Sequence, residues 1–265
     1  EDAAFFYAED QKKTIADFTK RLETVSFHDK IGSMAAKMAR TKTIAGLLAD
    51  RFKLNAEDKQ ALLRAAEIYK FDLVSAMVGE FAELQGTMGE VYARLAGESD
   101  AVAQAIREHY MPISAEGALP ASTVGTVLAL ADKLESLMSF FAVDLIPSGS
   151  NDPYALRRQA YGLVRMLAAH HDSLAIADIQ PQIVAAFKAN DQLGGLDYTK
   201  NATALTDFMR DRVKQYLGGQ QIRHDIVDAV VAAPTVDVAA MIDAAAILSA
   251  HAADENFKAV IEALG

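Results

Sequence analysis

Apolar residues recur every three or four positions along almost the whole chain, and Leu205, Phe208, Met209, Val213 and Tyr216 show the pattern as a one-sided stripe. Alternation with a period of two, bounded by turns, is hard to find. The pattern predicts an all-α protein with helices over 9–26, 31–52, 56–78, 80–95, 99–110, 122–142, 153–170, 174–189, 201–217, 221–232, 236–250 and 254–264. Several starts carry capping signals: Asn55 with Asp58 three residues on, Ser99 ahead of AVAQAI, and Thr235 with Asp237 in the first turn. Asp29 reads as the cap of the helix near Ile31.

Glycine and proline interrupt the pattern at 111–120, 145–152 and 190–201. Two units follow from these breaks: a helical domain over 1–149 and a second helical region over 150–265, whose last helix has no C-terminal flank and reads as truncated. No repeat of solenoid period and no low-complexity tract is present. The segment PSGSNDPYALRR, Pro147 to Arg158, marks the seam. Asp152 is placed to accept hydrogen bonds from the first free amides of a helix, and Pro153 suits the first helical position, so the helix is expected to open there with two arginines close behind.

Composition narrows the classes. At 265 residues, 51% of them hydrophobic, the chain is long enough for a sizeable core, yet no apolar run approaches the ~20 residues of a membrane helix. A soluble protein is expected, with no membrane partner. The chain opens on Glu1 without a cationic, apolar leader and reads as a piece of a longer protein. It has no cysteine, which excludes disulfides and thiolate metal sites and suits a cytoplasmic location. A net charge of −10 argues against indiscriminate nucleic-acid binding, because phosphate affinity comes mainly from clustered Lys and Arg. Any contact with RNA has to be local.

Three segments carry more specific information: FDLVSAMVGEFAELQGTMGEVYARLAGE (Phe71 to Glu98), IPSGSNDPYALRR and FMRDRVKQYLGGQQIRHDIVDAVVA (Phe208 to Ala232), with ALADKLESL between the first two. In this ordered series the sequence resembles the beta subunits of the bacterial tetrameric glycyl-tRNA synthetases along nearly its whole length. The resemblance implies an HD-like helical domain, then a linker or tail leading into a truncated anticodon-binding helical domain. It also implies a task of binding and orienting glycine tRNA in a tetramer of two alpha and two beta subunits. The alpha subunit would hold ATP, Mg2+ and glycine and make the adenylate, leaving this chain without cofactor or catalytic residue.

Active HD-fold relatives hold divalent metals with a first His, a His-Asp pair and a final Asp. The resemblance puts Lys37 at the first His, Phe71 at the paired His, and retains Asp72 and Asp132. A metal hydrolase requires imidazoles and carboxylates converging on an ion with a position open for water. Lys37 would repel the metal and Phe71 has no lone pair, so Asp72 and Asp132 read as scaffold. A metal-dependent HD-type phosphohydrolase stands as the competing enzyme reading. His28-Asp29 and His170-His171-Asp172 lie at helix ends, where capping and dipole effects account for them. No G-x-S-x-G elbow or phosphate-cradling glycine loop is present.

Recognition chemistry remains. Arg158 and Arg165 share a helical stripe with Tyr161 and Gly162, while Leu156, Ala160, Leu163 and Leu167 fall on another, and Arg157 adds a guanidinium near the seam. Lys30, Lys37 and Arg40, with Lys42 adjacent, make a second ridge; Arg210, Arg212, Lys214 and Arg223 lie in the segment resembling the start of the anticodon-binding helices. For each group the alternative is a solvated face with internal ion pairs, Asp207 and Asp211 being local partners. Glu80, Glu83 and Gln85, between Gly79 and Gly86, suit a contact with another domain or subunit, or else the glycines permit a close helix crossing. A helical protein–protein interaction module is the third reading.

Overall fold

The periodicity resolves into fourteen α-helices and one two-stranded hairpin among residues 2–264, the residues that this computed structural model describes. The fold is all-α, as the pattern predicts. An unexpected α1 (Asp2–Asp10) comes first, and of the helix expected over 9–26 only α2 (Ile15–Arg21) forms, started by Thr14 and Asp17 capping each other reciprocally at 3.1 and 2.9 Å. The hairpin of β1 (Ser26–His28) and β2 (Gly32–Ser33) follows. Asp29 lies in its turn and is not a helix cap; α3 (Met34–Arg51) is capped by Ser33, whose Oγ accepts from the Ala36 amide at 3.1 Å.

α4 (Ala56–Ile68) is capped by Asn55 as expected, but it ends ten residues short of the predicted 78. A 3-10 turn at Phe71–Val74, the short α5 (Ala76–Glu80) and a second 3-10 turn at Ala82–Leu84 lead into α6 (Thr87–Leu95). α7 (Asp100–Glu108), with its Ser99 cap, precedes α8 (Thr123–Ala142). The second half contains α9 (Leu156–His170), α10 (Ile176–Ala189), α11 (Ala202–Gly218), α12 (His224–Val231), α13 (Val238–His251) and α14 (Glu255–Leu264). α13 takes Asp237, not Thr235, as its cap.

α8 is the axis of the molecule: all but the first of its 20 residues are buried. It packs against α3, α4 and α7 on one side and against α9 and α11 on the other, while α10 reaches back to α3. Buried apolar side chains from both sides of residue 149 form one contiguous cluster. The Tyr154 ring stacks on Phe140 of α8 at 4.3 Å, and its hydroxyl meets His28 Nε2 at 3.0 Å, so the seam segment is fastened to the N-terminal hairpin. Among the described residues no helix is long and apolar enough to cross a membrane.

Candidate nucleic-acid interface and the cleft beside it

The first surprise concerns Lys37 and Arg40. Helical spacing puts them on one face of α3, but that face packs on α8, and both residues are 2% exposed. They form no surface ridge. Lys37 Nζ lies 2.5 Å from Glu135 and 3.2 Å from Asp132, and Arg40 Nε lies 3.0 Å from the same Glu135. Burying these charges is tolerable only because the opposite charges of α8 meet them there. Tyr69 completes the network, its hydroxyl donating to Asp132 at 2.8 Å. Burial pushes the Asp132 carboxyl up, but the charges of Lys37, Lys70 and Lys133 outweigh it and hold the group well below the usual carboxylate range.

Asp72 works differently. Its Oδ2 accepts from the amides of Gly86 and Gly89 at 2.7 and 2.9 Å and so ties down the start of α6. Burial raises its pKa against those two bonds, and its Oδ1 has no hydrogen-bond partner. Gly86, at φ +81°, needs the left-handed region and approaches Tyr110 so closely that an added Cβ would lie 2.8 Å from the ring. Gly86 thus serves a close crossing, whereas Gly79, Glu80, Glu83 and Gln85 lie outside the core.

These residues do not fit a divalent metal. An ammonium sits against Asp132, Asp72 is engaged by two amides, and Phe71 is a fully buried ring with no donor. Among the described residues no three His, Asp or Glu side chains are placed to share an ion.

Beside these residues lies a cleft of about 760 Å³ between α3, α8, α9 and the 111–113 segment, with Lys70, His109, Tyr110, Lys133 and Arg158 in its lining. His109 is fully buried, and burial together with the Lys70 charge holds its imidazole well below the ordinary value, hence neutral.

The seam helix corrects a second expectation. α9 starts at Leu156, not Pro153, because Ala155 turns the chain through φ +53° first; Asp152 still caps it, accepting from the amides of Leu156 and Arg157 at 2.8 and 3.0 Å. Arg158 and Arg165 do not make an open ridge. Gly162 between them is buried against Pro112 and Lys133, and Arg165 donates to the Gly117 carbonyl at 2.7 Å, pinning the 111–120 loop. Arg158 remains exposed at the cleft.

On α11 and α12 the carboxylates and carbonyls take up most of the charge. Arg210 donates to the carbonyls of Val231 and Ala233 at the end of α12; Lys214 pairs with Asp228 at 2.7 Å and Arg223 with Asp225 at 2.5 Å. Arg212 differs: its guanidinium lies 5.1 Å from the Phe208 ring centroid, with buried Nε and Nη1 that lack partners. Burial pushes its pKa down, and the neighbouring Arg157 pushes the same way against Asp211 and Asp152. α9 packs on α11, so that Arg212 feels the charges of Asp211, Arg157 and Asp152, and Arg158 lies next to Arg157 on α9.

The family model described as glycyl-tRNA synthetase beta subunit matches residues 1–232. The chain belongs to the glycyl-tRNA synthetase beta subunit family. The glycine–tRNA ligase beta subunit of Lacticaseibacillus casei is 67% identical over 265 residues. Those of Levilactobacillus brevis and Pediococcus pentosaceus are 60% and 52% identical over 264 residues. Each match covers 100% of this chain, which spans 38% of each relative's length. Within this family member, sequence reasoning missed Glu135, Lys70, His109 and Lys133. The first and last had a signal: Asp-Lys-Leu-Glu lies inside an otherwise uncharged 20-residue helix, where charges must find partners.

Proposed function

We propose that this chain holds and orients glycine tRNA while a partner alpha subunit charges it with ATP, Mg2+ and glycine in a cytoplasmic tetramer of two alpha and two beta subunits. The carrying observation is that Arg157 and Arg212, on the packed helices α9 and α11 and near enough for one charge to act on the other, have no ion-pair partner among the described residues of a chain of net charge −10. Two planar cations on adjoining helices suit phosphates of a polyanion, and membership in the family supports reading that polyanion as glycine tRNA. Placing a bound RNA end correctly assists ester formation without any reactive group on this chain.

The test is the affinity of the intact protein for glycine tRNA across a salt series. Replacing Arg157 and Arg212 by Ala reduces the slope of log affinity against log salt by about one for each phosphate no longer neutralised. An unchanged slope refutes the assignment, and a flat profile in the parent protein favours the interaction-module reading instead.

A further inference from the structure

Five cationic side chains and two carboxylates line the cleft. Lys37 is committed to Glu135 and Asp132, and Arg107 to Glu90. Asp132 is in turn taken up by Lys37 and Tyr69, and Glu83 lies at the edge. Lys70, Lys133 and Arg158 remain without an ion-pair partner among the described residues. Lys70 is 7% exposed, its Nζ 4.0 Å from the Tyr110 ring centroid and 5.5 Å from that of Tyr69. Lys133 is 4% exposed and donates only to the carbonyls of His109 and Met111, at 3.2 and 3.0 Å. Burial pushes both amines down, Lys133 to about 8.

Asp132 acts on both amines, and Asp72 and Glu135 on Lys70, but burial outweighs them and no carboxylate reaches ion-pair distance, an arrangement that weakens a fold. The sequence has 36 acidic residues against 26 Lys and Arg, so carboxylates are plentiful, yet none is placed here beyond those already engaged. Two further groups of the lining, His109 Nε2 and Tyr110 OH, are buried without hydrogen-bond partners. Phe27, Met111, Pro112 and Ile113 give the same cleft an apolar wall, and about 760 Å³ is far more than a bare phosphate fills.

We propose that this cleft binds a phosphate monoester whose organic part carries a ring, as a 5′-mononucleotide does, with Lys70, Lys133 and Arg158 facing the phosphate and the aromatic and apolar wall taking the ring. His109 and Tyr110 gain the partners they lack. Such an ester arrives either as a free small molecule or as the phosphorylated end of an RNA strand. The RNA form rests on the tRNA-holding reading above; the free form does not.

The experiment follows the melting temperature of the intact protein with its partner subunit, using AMP, adenosine and inorganic phosphate as probes. AMP raises it saturably, and more than phosphate at equal concentration, while adenosine leaves it unmoved. Lys70→Met melts at or above wild type without ligand, since it removes a buried charge whose desolvation outweighs the nearby carboxylates, and loses AMP affinity by roughly tenfold or more. Arg158→Gln, at the cleft's exposed edge, lowers AMP affinity without changing the unliganded melting temperature. No response to AMP, an equal response to phosphate or adenosine, or a Lys70→Met variant that melts well below wild type overturns the proposal. Glycine tRNA with and without its 5′-phosphate separates the sources: weakened binding after dephosphorylation, with AMP competing, identifies the RNA end, and unchanged binding identifies a free ester. Failure of these probes with an intact response to Arg157 and Arg212 replacement rejects the cleft alone.

Discussion

Glu135→Gln isolates the charge at the centre of the fold while keeping its shape. Glu135 is fully buried and serves two cations, Lys37 at 2.5 Å and Arg40 at 3.0 Å, while accepting from Ser139 Oγ at 2.6 Å. After the substitution Lys37 still faces Asp132 at 3.2 Å, but among the described residues Arg40 has no other carboxylate, and its Nη2 already lacks a partner. Stranding one buried charge costs about 3–5 kcal/mol, a large part of the roughly 5–15 kcal/mol typical of a whole domain. With a urea dependence of about 1–3 kcal/mol per molar, the unfolding midpoint falls by more than about 1 M. In an Arg40→Met background the same change costs markedly less, because no cation is stranded; the difference is the coupling energy. A midpoint shift below about 0.3 M, or equal costs in both backgrounds, would show that Glu135 does not compensate Arg40.

Two further outcomes follow from the same network and its neighbours. The unfolded chain binds a proton at His109 near 6.5 that the folded chain refuses, so stability present above that pH is lost as pH falls below it, by up to about 1.4 kcal/mol per unit. Urea midpoints at pH 7.5 and 5.5 check this: His109→Gln flattens the dependence, and an unaltered dependence rejects it. Arg210→Ala frees the carbonyls of Val231 and Ala233 and costs about 1–3 kcal/mol in unfolding experiments, yet leaves the salt slope for tRNA unchanged.

Local signals hold where a cap or stripe involves residues a few positions apart. Asn55 and Ser99 start helices where the sequence places them, and Leu205, Met209 and Val213 are buried on one face of α11. Asp152 is legible as an acceptor for the first amides of α9, but the left-handed turn at Ala155, which delays the helix past Pro153, has no signature in Pro-Tyr-Ala-Leu. The burial of Lys37 and Arg40 is illegible for a different reason. Spacing places two charges on a common face without saying what covers that face, and their partner Glu135 lies 98 and 95 residues away. The nearness of Arg157 and Arg212 depends likewise on how α9 packs on α11, which no local pattern records. Lys70 falls inside the expected helix 56–78, which in fact ends at Ile68, and His109 lies just before the break at 111–120, so periodicity could not assign either an environment.

The central claim is that this chain holds RNA and leaves bond-making to its partner. Steady-state glycylation by the intact enzyme, run beside glycine-dependent ATP–pyrophosphate exchange, tests it most directly in the Arg157→Ala/Arg212→Ala variant. The account predicts a KM for glycine tRNA raised roughly tenfold or more, because two charge-assisted hydrogen bonds to phosphate can no longer form, with the exchange rate unchanged. A normal KM, or a collapse of exchange, contradicts it.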